Sequence, residues 1–264
     1  MAIKEFAEHL AVKKLSENTM KSYLGYYKLF DAGLSERDLN QPYINQFLLA
    51  HTSNVTRSFL NNLFDHLGIT NFKVPKLTGR KPQKKRRSLS PQEIKVLRTW
   101  LYNNKDVKFL LCFDLSYFCA LRKAEVLTIK IKDFNIGEWA EDPSKACKLL
   151  IHGKGNKERY VPVPSKVMHR IIDYIQDHNK EMDQRLFNFK RTIWGDAFKE
   201  AIRSTMEHNY TTHDLRRSRA TNWMRNGIDL TQVKNRLGHA SVQTTQLYIN
   251  LEEEKEFNKW ADEY

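Results

Sequence analysis

Residues 73–90, KVPKLTGRKPQKKRRSLS, hold eight Lys or Arg, two Pro, one Gly and no acidic residue. Such a run breaks any helical or strand periodicity, so it divides the 264-residue chain into two parts that must each build a core. It reads as an extended interdomain linker over 73–89. Its cations, Lys73, Lys76, Arg80, Lys81, Lys84, Lys85, Arg86 and Arg87, are candidates for contact with a polyanion. A solvated tether or a localisation-like basic run would have the same composition. A tether between two lobes whose charges lie on phosphates accounts for both composition and position.

Residues 1–72 read as a small helical bundle. Apolar positions recur at helix spacing at Phe6 and Leu10, and again at Tyr23, Tyr26, Tyr27 and Phe30. Ser16-Glu-Asn-Thr19 offers an N-cap before MKSYLGYYKLF, and Pro42 sits near the first turn of another helix. A further helix spans 54–67 and is closed by Gly68.

The second part opens on Ser90-Pro91-Gln92-Glu93, a capping box with proline at the first helical position. A helix follows to about Asn103. Residues 106–119 form a strongly apolar core helix, and a short helix runs from Arg122 to Leu127. CKLLIHGK and ERYVPVP, separated by Gly153-Lys154-Gly155-Asn156-Lys157, predict a β-hairpin. Residues 129–134 could add a third strand. From Ser165 onward the pattern is helical. The fold class is mainly α with a small antiparallel β-sheet.

The net charge of +13 points to a polyanionic partner. A nucleic acid such as double-stranded DNA fits better than a membrane, because no stretch approaches the roughly 20 apolar residues of a spanning helix. MAIKEFAEHL is not a signal peptide. Cys112, Cys119 and Cys147 have neither zinc spacing nor a paired framework, and they read as reduced thiols of a cytoplasmic protein.

Six polar residues in the second part could act together: Arg122, Lys154, His213 with Arg216, and His239 with Tyr248 nine residues on. Cations hold non-bridging phosphate oxygens, Lys or His moves protons, and Tyr is a nucleophile. That chemistry on a phosphodiester needs no metal or cofactor. Singly, each residue has a plainer reading. Arg122 with Glu125 could be a helix-surface ion pair, Lys154 a solvated loop lysine, His213 and Arg216 structural neighbours on one face, and Tyr248 a core tyrosine.

Together their contexts, ALRKAEVLTIK, IHGKGNKERYVPV, HDLRRSRAT and LGHASVQTTQLYI, resemble the tyrosine recombinase (phage integrase) family. The likeness is strongest over 90–250 and extends along the whole chain. It implies a helical, SAM-like core-binding domain over 1–72 and a catalytic recombinase domain over 90–250. The two would form a C-shaped clamp on DNA. In that family Tyr248 would attack the scissile phosphate, giving a 3′-phosphotyrosine and a free 5′-hydroxyl. Arg122 and Arg216 would grip the non-bridging oxygens, and Lys154 would protonate the leaving oxygen, with Lys157 as runner-up. His213 would accept a proton or orient the phosphate, His239 would hydrogen-bond it, and Glu125 would support Arg122 or His213. The implied reaction is strand exchange through a Holliday junction by a homotetramer on two DNA sites. The free protein would be a monomer or weak oligomer, and accessory proteins could set direction.

Two positions depart from the commonest family wording. Ala120 stands where Gly often precedes Leu-Arg, and Arg217 replaces a frequent His, adding charge and another candidate DNA contact. The second box resembles archaeal and mobile-element members, and the short two-domain chain suits Xer-like or minimal integrase action. EEEKEFNKWADEY over 252–264 is acidic, with Phe257, Trp260 and Tyr264 at helical spacing. In this family such a tail (251–264) docks on a neighbouring protomer; packing on its own domain is the alternative. Two other functions share these residues: a silent recombinase-derived DNA-binding protein, and a nicking-closing enzyme of the type IB topoisomerase kind.

Overall fold

The computed structural model describes residues 3–34, 38–76, 87–153 and 158–238. They form two compact units, one within residues 1–84 and one within 85–264.

The first unit has four helices: α1 (Ile3–Val12), α2 (Glu17–Leu34), α3 (Gln41–Ala50) and α4 (Asn54–His66). The starts of the last three are set by side chains that accept orphan backbone N–H groups. Ser16 accepts from Thr19 N–H at 3.2 Å, Asn40 from Tyr43 at 2.8 Å and Ser53 from Thr56 at 3.0 Å. The core is aromatic. Phe6, Tyr27, Phe30, Phe47 and Phe59 are buried, with Phe30 edge-on to Phe47 at 5.0 Å. The Tyr43 hydroxyl donates to Phe30 O at 2.6 Å. An added Cβ on Gly33 would run into that hydroxyl, so glycine there lets α3 come this close to α2.

In the second unit, α5 (Pro91–Asn104), α6 (Val107–Phe118), α7 (Lys123–Val126) and α8 (Ile136–Glu141) precede β1 (Cys147–His152) and β2 (Glu158–Val163). Helices α9 (Ser165–Asp177), α10 (Arg191–Thr205), α11 (Thr212–Arg225) and α12 (Leu230–Leu237) follow. The capping box at Ser90 and Glu93 forms as the sequence predicts. Helix α6 is the centre, packed by α5, α9, α10 and α11, which explains why it is apolar nearly all round. Its one buried carboxylate, Asp114, takes two bonds from Arg98 (2.7 and 3.1 Å) and one from Arg170 (2.8 Å), tying α5 and α9 to the core. All three cysteines are buried free thiols, and burial pushes Cys147 up to about 11. Among the described residues no helix is long and apolar enough to cross a membrane.

The hairpin forms, antiparallel, with Cys147 opposite Val163 and His152 opposite Glu158. The third strand expected over 129–134 does not. Asp133 accepts from Lys130 N–H at 2.7 Å and curls residues 131–133 into a single 3₁₀ turn. Only isolated bridges remain on either side, Lys130 with Arg185 and Phe134 with Leu149.

Both ends of the span read as linker are held by the unit they adjoin. Lys73 exchanges two 2.9 Å bonds with the Gln41 amide, and Arg57 donates to Pro75 O. Leu89 is buried in the second unit and its N–H reaches Ser218 Oγ at 2.8 Å.

Candidate active site

The site is built where helices end. Helix α6 stops at Phe118, and Ala120 adopts φ +51°, a left-handed conformation that glycine enters without strain. This gives a physical reason for the family's frequent glycine there. In this chain Ala120 is fully buried in a small apolar cluster with Ala220, Trp223, Val233 and Leu237. The turn aims Ala120 O at Arg216 and brings Arg122 to the start of α7.

Glu125 is the hub. It is 7 % exposed and accepts from Arg122 N–H (2.8 Å) and Arg122 Nη1 (2.7 Å). Arg159, on β2, meets both its oxygens at 3.2 and 3.0 Å, a fork-on-carboxylate geometry. Arg216 Nη1 stands 3.5 Å from Oε2, at the limit of a hydrogen bond, so that contact is mainly Coulombic. One carboxylate thus gathers three guanidiniums, leaving a net charge of about +2 over a small volume. Burial alone would raise the Glu125 pKa. Bonds from Arg159 and Arg122 N–H, with the charges of Arg159 and Arg216, outweigh burial and hold it below the ordinary carboxylate value.

The three arginines differ in access. The Arg122 side chain is 39 % exposed, Arg159 12 % and Arg216 0 %. Arg216 donates to two carbonyls at helix ends, Ala120 O at 2.8 Å and Leu237 O at 2.5 Å. It therefore fixes the end of α12, where Gly238 turns left-handed. Arg159 also holds that end through Arg236 O at 3.2 Å.

His213 occupies the first turn of α11, whose capping box joins Thr211 and Asp214. The residue opens to solvent on one side, and the protein packed round the ring lowers its pKa from 6.5. Its own backbone and Asp214 raise it, while Arg216 and Arg122 add to the lowering. His213 therefore lies within the field of both arginines.

A pH consequence follows. The folded state takes up this proton at lower pH than the unfolded chain. His213 therefore contributes stability that is full above about 6.5 and is lost as pH falls from there through the lowered folded-state value. The stability difference between wild type and His213→Gln in urea is expected to shrink from about pH 7.5 to about pH 5.5. A difference independent of pH would mean that the ring is not held neutral.

Lys154, Lys157, His239 and Tyr248 lie outside the described residues, as do Arg80, Lys81, Lys84, Lys85, Arg86 and the tail 251–264. Lys73 and Lys76 are exposed on the first unit, and the Arg87 side chain is 58 % exposed with Glu93 at 3.6 Å. Arg217 is not laid out as an open phosphate contact. Its side chain is 13 % exposed, with Asp214 at 2.8 Å and Arg87 O at 2.9 Å.

Arg159 is the site residue that the motif reading passed over. A signal was present, since the two-residue period of a strand puts Arg159 on the face of the buried Val161 and Val163. A cation on an inward face requires a carboxylate.

Residues 87–255 match the Phage integrase family. The chain belongs to that family. It is a tyrosine recombinase, an enzyme that breaks and rejoins DNA. It is 26 % identical to a tyrosine recombinase of Pseudothermotoga lettingae, over 97 % of this chain and 96 % of the relative. It is 29 % identical to the tyrosine recombinase XerA of Pyrococcus horikoshii, over 94 % and 88 %. Its fold matches the XerH recombinase in a post-cleavage complex on difH DNA with a TM-score of 0.67 at 21 % identity, covering 87 % of this chain and 75 % of that one. It matches lambda integrase in a tetramer on a Holliday junction with a TM-score of 0.68 at 15 % identity, covering 90 % and 76 %.

Proposed function

We propose that this recombinase acts at specific sites on duplex DNA and cleaves each strand through Tyr248. The Tyr248 oxygen attacks phosphorus and forms the 3′-phosphotyrosine bond as the P–O5′ bond breaks. The phenol proton leaves to a base, for which His213 is the candidate, and the departing 5′-oxygen takes a proton from Lys154, or Lys157 if that residue reaches it. Attack of another 5′-hydroxyl on the phosphotyrosine reverses these steps and conserves the bond energy. Paired exchange on two sites passes through a Holliday junction in a homotetramer.

One observation carries this reading. Glu125 collects Arg122, Arg159 and Arg216 beside His213, which makes a preorganised cationic seat for a pentacoordinate phosphorane. Arg122 has the exposure to meet the phosphate first, Arg216 supplies charge from beneath and reaches an oxygen by giving up a carbonyl, and Glu125 holds both. His239 is expected to hydrogen-bond the same phosphate.

Covalent trapping tests the reading. The protein is incubated with nicked duplex fragments of its source DNA and denatured, and the linked peptide is mapped by mass spectrometry. A phosphoester on Tyr248 is the expected result, and the attached sequences would define the site. Linkage through any other residue would overturn the assignment.

A further inference from the structure

Arg122 and His213 each have a neighbour in sequence that faces a different space. Lys123 follows Arg122, Thr212 precedes His213, and the two line a separate cleft of about 360 Å³ with Lys199, Arg203, Tyr210 and Thr211. Helix α10 forms its other wall. Among the described residues three cations line the cleft and no carboxylate does. Asp196, whose field reaches Lys123, has its Oδ1 3.3 Å from Lys199 Nζ instead. Burial of Lys123, with Arg191 and Lys199 nearby, disfavours its ammonium, so the cleft as it stands is short of negative charge.

A glycine makes room for this arrangement. Gly195 is interior to α10, where glycine is unfavourable relative to alanine. A Cβ there would lie 2.7 Å from Lys123 Nζ. The Tyr210 hydroxyl is turned to Glu93 at 3.3 Å and the Thr211 hydroxyl to Asp214 at 2.8 Å. Lys123 and, at the start of α11, Thr212 line the space that an incoming anion would enter.

We propose that this cleft binds a second backbone phosphate of the same DNA, next to the scissile one, with Lys123 as its main ligand. The inference rests on the reading that Arg122, His213 and Arg216 hold the scissile phosphate. A nucleic-acid backbone is the ligand chemistry that sets two phosphates side by side, as Arg122 with Lys123 and His213 with Thr212 set two sites side by side. A second contact would fix the register of the strand, so that the phosphorus presented to the nucleophile is the correct one.

The test compares wild type, Lys123→Gln, Gly195→Ala and, as a control, Lys145→Gln, an exposed lysine paired with Asp142 at 3.0 Å. Affinity for a fixed duplex is measured over a range of salt. The slope of log K against log salt should become shallower by about 0.9 in Lys123→Gln and stay unchanged in Lys145→Gln. Gly195→Ala meets only the flexible end of Lys123, so it should weaken binding while its melting temperature holds or rises. That arm keeps the test valid if Lys123→Gln folds poorly. Duplexes of the trapped site carrying single methylphosphonates should then reveal one flanking position whose neutralisation weakens wild type several-fold and has no effect on Lys123→Gln. An unchanged slope with an unchanged methylphosphonate profile would overturn the second site. Indifference of both wild type and Arg122→Gln to neutralisation of the scissile phosphate itself would overturn the underlying reading instead.

Discussion

Tyr248→Phe is expected to bind duplex DNA within about twofold of wild type and to lose all covalent attachment, a fall in cleavage of at least about 10⁴-fold. The substitution removes one oxygen and keeps the ring. Affinity for duplex DNA comes chiefly from cations on phosphates, which this change leaves alone. Cleavage, by contrast, needs an oxygen that can bond to phosphorus, and phenylalanine has none. Gel-shift titration and denaturing gels of the same reactions read the two effects separately. A persistent adduct in the variant would assign the nucleophile elsewhere. Equal loss of binding and cleavage would mean that Tyr248 serves the fold or the interface.

Glu125→Ala is expected to destabilise the second unit by about 3–5 kcal/mol, the range for breaking a buried ion pair. The loss leaves Arg216, fully buried, and Arg159, largely buried, without their carboxylate. It also removes the cap on α7, because Arg122 N–H loses its acceptor. Glu125→Gln keeps an acceptor and the side-chain shape, so it should cost less stability. Its effect carries a pH signature. The carboxyl is held below its ordinary value, so its contribution is full above the ordinary carboxylate range and is lost as pH falls through the lowered one. The difference between wild type and Glu125→Gln in urea unfolding should therefore shrink on the acid side. An alanine variant that unfolds within about 0.5 kcal/mol of wild type would mean the three arginines find other support.

Much of the local structure was legible because it is coded locally. The Ser90 capping box, the Ser16 cap, Pro42 in the first turn of α3 and the two-residue alternation of ERYVPV act within a few residues. The misread third strand is also a local matter. Its apolar alternation was genuine, and a side chain three residues on, Asp133, competed for the backbone and won. The anchoring of the ends of the span read as linker was hidden for a different reason. Gln41, Arg57 and Ser218 hold its ends from 18 to 129 residues away, and no window of sequence contains those pairs.

The sequence alone determined which chemical groups this protein owns and in what order they come: two arginine boxes, the histidines, the turn lysine and the tyrosine. Motif spacing carries that information for the two arginine boxes because each lies on a helix, α7 or α11, that opens with its own capping box. Only the tertiary structure decided that Glu125 serves three arginines at once, that Arg216 lies fully buried while Arg122 opens to solvent, and that Arg159 belongs with them. Those facts depend on where α6, α11, α12 and β2 end relative to one another. A carboxylate can be shared only among groups that packing of the whole unit has brought within about 4 Å.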